Sequence, residues 1–243
     1  LALQDAPDAD RALGSFVRWF SALSGRYSYL QLLLRHPVAL QVFCLVTGSS
    51  QYFADLLVRH PETFEILANP GVRGGIKSGA TFYKEVSALV GACQQVVLKK
   101  DALRRWKARE MLRIGVRDLV GLGDMPSTAR EFSNLADSCV QCAYDMTVLQ
   151  FPLAPDQTLP PIAVIGMGKL GGQELNYSSD IDLVFVHGDN LPYELTTAEG
   201  RKVETVTWLG RFAESLIKTL SEESANGHVF RVDMRLRPEG RFG

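Results

Sequence analysis

The spacing of apolar residues along the chain changes near residue 150. Between about Ala12 and Asp145 they recur at mixed intervals of three and four, the period of an amphipathic helix. After residues 151–161, a stretch with four prolines, the pattern becomes one of strands and turns. We therefore expect an α+β fold with a helical domain at residues 1–150 and a small mixed-sheet domain at residues 151–243.

The second domain is predicted to contain three strands and one long helix. An apolar run from Ala163 ends in a glycine-rich turn, and a second apolar run continues to Val186. Residues Thr197 to Leu220 predict one amphipathic helix. The apolar residues expected on its inner side are Val203, Val206, Ala213, Leu216, Ile217 and Leu220. Residues 229–237 alternate strictly, which predicts a strand whose core-facing residues are Phe230, Val232, Met234 and Leu236.

Three aspartates fall on the polar faces of these strands. Asp180 and Asp182 lie two residues apart, so a strand projects both from the same face. Asp233 shares its face with Arg231, Arg235 and Arg237. If this last strand lies beside the one from Asp180 to Val186, the three carboxylates come together. They would repel one another without a cation, and hard oxygen ligands suit Mg²⁺. The pattern therefore predicts a magnesium site.

The glycine-rich turn before Asp180 predicts a contact with phosphate, because exposed backbone N–H groups bind phosphate oxygens. A side chain at Gly172 is expected to block that contact and to require a disfavoured dihedral. Residues 166–171 also satisfy G-x-G-x-x-G, but residues 172–179 are too few for the crossover of a dinucleotide-binding fold. A short helical turn fits instead. Leu170 stands where a P-loop needs Ser or Thr.

Composition limits the classes of partner and compartment. The net charge is −1, with 46% hydrophobic and 22% charged residues, so neither nucleic acid nor a membrane is an expected partner. The four cysteines, Cys44, Cys93, Cys139 and Cys142, make no disulfide framework in a chain of this length and indicate a reducing compartment, the cytoplasm by default. Cys139 and Cys142 lie in a helical pattern, which favours buried thiols over a redox or metal pair.

Basic residues crowd one predicted helix of the first domain: Lys99, Lys100, Arg104, Arg105, Lys107 and Arg109. A solvated face is the favoured interpretation, and contact with a phosphate or an acidic partner stays open. The chain begins at Leu1 and stops at Gly243, just after the last predicted strand, so we expect a C-terminally truncated fragment.

Two motifs of the second domain resemble those of one enzyme family. They read Gly-Met-Gly-Lys-Leu-Gly-Gly-Gln-Glu-Leu-Asn-Tyr-Ser-Ser-Asp-Ile-Asp-Leu-Val-Phe at residues 166–185 and Arg-Val-Asp-Met-Arg-Leu-Arg-Pro-Glu-Gly at residues 231–240. They look like the signatures of glutamine synthetase adenylyltransferase, also called glutamate-ammonia-ligase adenylyltransferase, in the DNA polymerase beta-like nucleotidyltransferase superfamily. The helical domain agrees in Leu34-Arg-His-Pro37 and Leu57-Val-Arg-His-Pro61, each of which also predicts a helix end before its proline.

The resemblance implies a bifunctional cytoplasmic enzyme that regulates nitrogen assimilation. One half attaches AMP to a tyrosine of glutamine synthetase and the other removes it, under the control of glutamine and a PII-type signal protein. The removing half typically shows Leu-Asn-x-Ser-Ser-Asp-Ile-Asp, which residues 175–182 match. The implied reaction is phosphorolysis, in which phosphate releases ADP and free tyrosine. Attachment of AMP from ATP and an inactive fragment that binds glutamine synthetase or the signal protein remain alternatives.

The same resemblance implies roles for individual residues. The catalytic residues that hold Mg²⁺ are Asp180, Asp182 and Asp233. The residues at the nucleotide and phosphate are Gly171, Gly172, Ser179, Arg235 and Arg237. For the two arginines, an ion pair with the carboxylates is an equal alternative to a contact with phosphate or nucleotide.

Overall fold

The computed structural model describes residues 2–69, 71 and 75–234, and these form an α+β fold. The helices before residue 150 are α1 (Ala9–Ala22), α2 (Arg26–Arg35), α3 (Pro37–Ser49), α4 (Gln51–Arg59), α5 (Glu65–Ala68), α6 (Gly79–Gly91), α7 (Val96–Leu119) and α8 (Met125–Gln150). The later elements are β1 (Ile162–Met167), α9 (Gly168–Gly171), β2 (Ile181–His187), β3 (Glu194–Thr196), β4 (Lys202–Glu204), α10 (Thr205–Ser221) and β5 (Val232–Asp233). The predicted order, helices and then a small mixed sheet, is confirmed.

The two His-Pro pairs end helices as predicted. Helix α2 ends at Arg35 and α4 ends at Arg59, each one residue before the histidine. His36 and His60 have φ values of −128° and −126°, outside the helical region, because a following proline disfavours helical backbone. Each proline then opens the next helical segment, where its missing N–H leaves no hydrogen bond unmade.

The described residues of Leu1–Lys77 and Arg105–Glu131 form one compact unit. Its core is aromatic: Trp19, Phe43 and Phe64 are fully buried. The ring centroids of Trp19 and Phe64 lie 4.6 Å apart, and those of Trp19 and Phe43 lie 5.3 Å apart. These packed rings join α1, α3 and the turn before α5, so the helical hairpins share a single core.

The described residues of Ser78–Arg104 and Phe132–Gly243 form the second compact unit, which contains the sheet. Strand β2 is central: it pairs with β1 in antiparallel fashion and with β5 in parallel fashion. Strands β3 and β4 form a separate hairpin. The domain boundary expected near residue 150 stays a prediction.

The region expected to be one helix from Thr197 to Leu220 differs from that prediction. Gly200, at a φ of 78°, lies in the turn that joins β3 to β4, so helix α10 begins only at Thr205. Its buried face holds Trp208, Leu209, Phe212, Leu216 and Leu220, whereas Val206 is 61% exposed. Glycine is typical of turns, but the amphipathic pattern around Gly200 predicted a continuous helix.

The C-x-x-C residues are buried inside α8, as the sequence interpretation favoured. Cys139 is 0% exposed and Cys142 is 2% exposed, and both are free thiols. Burial, together with the nearby Asp145 carboxylate, raises the pKa of Cys142 to about 12. A thiol with this pKa stays protonated and is a poor nucleophile at neutral pH.

Among the described residues, no single helix has the length and apolar character to span a membrane. Helices α2 and α3 reach that threshold only when joined, and they bend by 105° at their junction.

Candidate functional site

The glycine turn is a single helical turn, α9, between two antiparallel strands. This confirms the predicted short turn and is incompatible with a dinucleotide-binding motif, which joins parallel strands. Gly168 has a left-handed φ of 54°, which favours glycine. The position that a side chain at Gly168 would occupy overlaps the carboxylate of Asp182. The turn therefore brings bare backbone directly against Asp182.

Gly171 and Gly172 differ in what their backbone requires. A side chain at Gly171 would lie 2.6 Å from the carbonyl oxygen of Gly166, so this position has no room for one. Gly172 has φ −77° and ψ −4°, which any residue adopts, and the expectation of a disfavoured dihedral there was wrong. Within this turn, the residues with a left-handed backbone are Gly168 and Gln173 instead. The predicted approach of Gly171 and Gly172 to a phosphate stays a prediction.

Asp182 and Asp233 lie side by side on neighbouring strands. Strands β2 and β5 are parallel, with Ile181 opposite Val232 and Asp182 opposite Asp233, so the predicted strand pairing is confirmed. Ile181 and Leu183 are buried, which turns the alternate residue Asp182 to the other, open face. Paired residues project from one face, and both aspartates are half-buried there. Strand β5 is shorter than predicted within the described residues.

Asp180 lies just before β2 and is bonded to an arginine. Its Oδ1 accepts a hydrogen bond of 2.6 Å from Nε of Arg231, whose Nη2 also donates to the Ser178 carbonyl oxygen at 3.3 Å. The pair is open to solvent, with side chains 44% and 64% exposed. Arg235 and Arg237, for which such a pair was considered, lie outside the described residues. Sequence reasoning put Arg231 on the right face and gave it no role.

No group of three or more Asp, Glu, His or Cys side chains within residues 2–69, 71 and 75–234 is arranged to hold a metal ion. The arrangement that is present is a pair, Asp182 and Asp233, with Asp180 held by Arg231. Convergence of all three aspartates on Mg²⁺ stays a prediction.

The residues just before Asp180 form a closed polar turn. Oδ1 of Asn176 accepts hydrogen bonds from Oγ of Ser179 at 2.6 Å and from the backbone N–H of Ser178 at 3.3 Å. Nζ of Lys169 lies 3.5 Å from the same Ser179 hydroxyl. Within the described part of the chain, Lys169 has no carboxylate partner. The sequence analysis considered Lys169 only as part of the rejected P-loop match and gave it no role, although its place directly after Gly168 was a usable signal.

A cavity of about 480 Å³ lies on the opposite face of the sheet, between β1 and α8. Its lining includes Gly166, Leu170 and Leu183 from the strands and turn, and Asp137 from α8. Asp137 is an exposed residue, yet partial desolvation of its carboxyl group raises its pKa, and a hydrogen bond from Gln173 opposes that shift. This face presents mostly apolar side chains, so the charged chemistry lies on the face of Asp182 and Asp233.

Comparison with known proteins identifies the family. The sequence pattern of the glutamate-ammonia ligase adenylyltransferase family matches residues 40–243. The chain belongs to this family. Among its relatives are proteins named bifunctional glutamine synthetase adenylyltransferase/adenylyl-removing enzyme. The one from Ralstonia nicotianae is 32% identical over 97% of this chain, and the one from Mycobacterium leprae is 32% identical over 98%.

The matched regions are a small part of those relatives. They make up 24% of the Ralstonia nicotianae protein, 23% of the Mycobacterium leprae protein and 21% of the Shewanella woodyi protein, which is 33% identical over 82% of this chain. The chain therefore spans about a quarter of the length of these relatives. Membership of the family agrees with the resemblance of the two motifs around Asp182 and Asp233.

Proposed function

We propose that this chain carries a metal-dependent nucleotidyl-transfer site that removes AMP from a tyrosine of glutamine synthetase. The observation that carries the proposal is the setting of Asp182. Its half-buried carboxylate lies against the Gly168 backbone and on the same face as Asp233, and no donor among the described residues bonds to it. A partly buried carboxylate that accepts no hydrogen bond favours binding of a cation, or of a ligand that donates a hydrogen bond to it.

The donor atoms proposed here are carboxylate oxygens, the kind of ligand that a hard divalent cation prefers. Asp182 and Asp233 supply carboxylate oxygens from adjacent strands, and Asp180 joins them if Arg231 releases it. When bound, Mg²⁺ would offset the negative charge of the phosphoryl group and of the leaving phenolate. Arg231 meanwhile keeps the Asp180 carboxylate neutralised in the absence of other cations.

The proposed reaction is phosphorolysis. A phosphate oxygen forms a bond to the adenylyl phosphorus, the bond from phosphorus to the tyrosine oxygen breaks, and the phenolate takes up a proton to give ADP and free tyrosine. Lys169 and Ser179 supply an ammonium group and a hydroxyl group that lie together at the open edge of the site, which suits them to hold a phosphate. Gly171 and Gly172, together with Arg235 and Arg237, remain the other proposed phosphate and nucleotide contacts.

The direction of transfer rests on the turn before Asp180. Residues 175–182 match the motif of the adenylyl-removing half, and its Asn176 and Ser179 bond to each other to close that turn. In this proposal glutamine synthetase is the protein substrate, a PII-type signal protein is the regulator and the cytoplasm is the compartment. Nucleic acid and membrane surfaces take no part.

The deciding experiment incubates the chain with adenylylated glutamine synthetase, phosphate and Mg²⁺ and measures ADP. Release of ADP that needs all three supports the proposal. A parallel reaction with ATP and unmodified glutamine synthetase tests the opposite direction. Attachment of AMP in that reaction would show that the chain adds AMP and does not remove it. Binding of glutamine synthetase without either reaction would overturn the catalytic proposal in favour of a binding role.

A further inference from the structure

The segment between the glycine turn and Asp180 is attached to helix α8 at three points. Nε2 of Gln173 donates to Oδ2 of Asp137 at 3.0 Å. The backbone N–H of Leu175 donates to the buried Ser133 hydroxyl, also at 3.0 Å. The rings of Tyr177 and Phe132 meet edge to face with centroids 4.5 Å apart. The residues of α8 that hold the segment are consecutive or one turn apart, so one stretch of the helix makes all three contacts.

Gln173 has an unusual backbone conformation for its residue type. Its φ of 57° makes it the one non-glycine residue with a left-handed backbone among those the structure describes. Such a conformation is disfavoured for residues other than glycine and persists where surrounding contacts enforce it. The side-chain amide of Gln173 bonds to Asp137 and to the carbonyl oxygen of Leu170, at 3.2 Å. The Asp137 contact is the one that ties this conformation to the helix.

The position of Gln173 determines how the glycine turn closes. The backbone N–H of Gln173 donates to the Leu170 carbonyl oxygen at 3.0 Å, and that of Glu174 donates to the Lys169 carbonyl oxygen at 2.8 Å. The same turn begins at Gly168, whose backbone lies against the Asp182 carboxylate. A shift of Gln173 toward ordinary dihedrals would therefore move the turn that borders Asp182.

We propose that Asp137 is a positioning residue of the nucleotidyl-transfer site. Its carboxylate holds the Gln173 amide, which fixes the left-handed conformation at Gln173 and keeps the Gly168 backbone against Asp182. Asp137 itself lies on the cavity side of the sheet and touches no reacting group, so its effect is transmitted through Gln173. The catalytic part of this inference rests on the proposed function, whereas the part about the turn does not.

The test is a double-mutant cycle in the whole chain. Asp137→Ala removes the acceptor, and Asp137→Asn keeps an oxygen that accepts from Gln173. Gln173→Gly removes the need for the acceptor, because glycine adopts a positive φ readily. Asp145→Ala is the matched control: this aspartate lies on the same helix and bonds to Tyr83 and Gln141, away from the turn. Each variant is measured by amide hydrogen exchange over residues 168–177 and by kcat and KM for ADP release.

Asp137→Ala is expected to speed amide exchange across the turn and to lower kcat by up to about 100-fold, because small misplacements of reacting groups have effects of that size. KM for adenylylated glutamine synthetase should change little. Asp137→Asn should keep near-normal values. In the Gln173→Gly background, Asp137→Ala should have no further effect.

The inference would be overturned by an equal loss from Asp137→Ala in both backgrounds, or by unchanged exchange at residues 168–177. If the unmodified chain releases no ADP, the proposed function fails, and the exchange measurement alone still decides whether Asp137 holds the turn. Faster amide exchange in Asp145→Ala would also contradict the role of Asp137, since the loss of any carboxylate from α8 would then speed exchange in the turn.

Discussion

Two clusters of acidic and basic side chains in this chain use the same chemical groups in opposite surroundings. The buried cluster, in the first compact unit, consists of Lys77, Glu110, Arg113, Arg117 and Glu131. The open cluster, at the sheet, consists of Asp180, Asp182, Arg231 and Asp233. The carboxylates of the buried cluster are 0% exposed, whereas Asp180 is 44% exposed.

In the buried cluster every carboxylate oxygen already has a partner. Glu131 accepts from the Lys77 backbone at 2.8 Å, from Arg113 at 2.5 Å and from Arg117. Glu110 accepts from Lys77 at 3.1 Å and from Arg113 at 2.6 Å. In the open cluster Asp182 has no hydrogen-bond donor among the described residues. Removing one partner from a satisfied, buried set of charges strongly destabilises a fold, whereas an accessible carboxylate without a donor, such as Asp182, is available to a ligand. The comparison favours a structural role for the buried cluster and agrees with the metal-binding role proposed for the open one.

The largest expected effect is on activity in the open cluster. Asp182→Asn should lower ADP release by about 100-fold or more, because it removes one of the carboxylates proposed to hold Mg²⁺. Stability should stay the same or rise slightly, since repulsion between Asp182 and Asp233 falls. Asp189→Asn, in the exposed loop after β2, is the control for loss of one negative charge. A near-normal rate for Asp182→Asn in an active preparation would remove this residue from the site.

The second prediction concerns stability in the buried cluster. Glu131→Gln should lower the free energy of unfolding by about 3–5 kcal/mol, because it leaves Arg117 buried without its carboxylate partner and removes one of the two carboxylates that pair with Arg113. The measurement is urea unfolding monitored by circular dichroism. Glu65→Gln is the matched control, since Glu65 pairs with Arg109 at 3.4 Å but is 65% exposed, and its loss should matter by less than about 1 kcal/mol. Equal effects of the two changes would break the comparison.

The sequence predicted the open cluster better than the buried one, for a physical reason. A period of two fixes the face of every strand residue, so the polar alternation around Asp182 and Asp233 predicted their face. The pairing of their strands, considered as a condition, is what the structure shows. The buried cluster depends on Glu131 meeting Arg113 and Arg117 from another helix, and helical spacing alone does not give that contact.

The run of basic residues in α7 illustrates the same limit. A solvated face was the favoured interpretation, yet Arg104 is 4% exposed and Lys107 is 7% exposed. Arg104 bonds to Asp101 at 2.9 Å and to the Glu222 carbonyl oxygen at 3.1 Å. Glu222 follows α10, far along the chain, so its contact with Arg104 is a product of tertiary packing. The close approach of Gly168 to Asp182 was equally hidden, because Asp182 belongs to the other strand of the β1–β2 pair.

The third prediction separates the glycines of the turn. Gly168→Ala should lower the free energy of unfolding by about 1–2 kcal/mol, because alanine is strained at a positive φ. It should also weaken Mg²⁺ binding, measured by calorimetric titration of the folded variant, because the new methyl group displaces the Asp182 carboxylate. Gly172→Ala is the control for stability, since Gly172 has an ordinary φ of −77° and its nearest neighbour is the flexible Glu174 side chain. A smaller loss of stability at Gly168 than at Gly172 would contradict the assignment of the turn.

The smallest expected effect is on the stability of the ion pair in the open cluster. Arg231→Gln should change the free energy of unfolding by less than about 1 kcal/mol, because both partners are largely solvated and added salt screens them. Arg113→Gln should instead lower the free energy of unfolding by about 3–5 kcal/mol. It removes the positive charge of a side chain that is 1% exposed and pairs with Glu110 and Glu131.

The same Arg231→Gln variant also reports on metal binding. Arg231 bonds to the Asp180 carboxylate that a cation would use, so its removal should tighten Mg²⁺ binding to the folded chain and leave the fold intact. Calorimetric titration of wild type and variant at low and high salt measures this difference. A loss of Mg²⁺ affinity in Arg231→Gln, or a destabilisation as large as that of Arg113→Gln, would mean that the Arg231–Asp180 pair has a structural role. The open cluster would then stabilise the fold in the same way as the buried one.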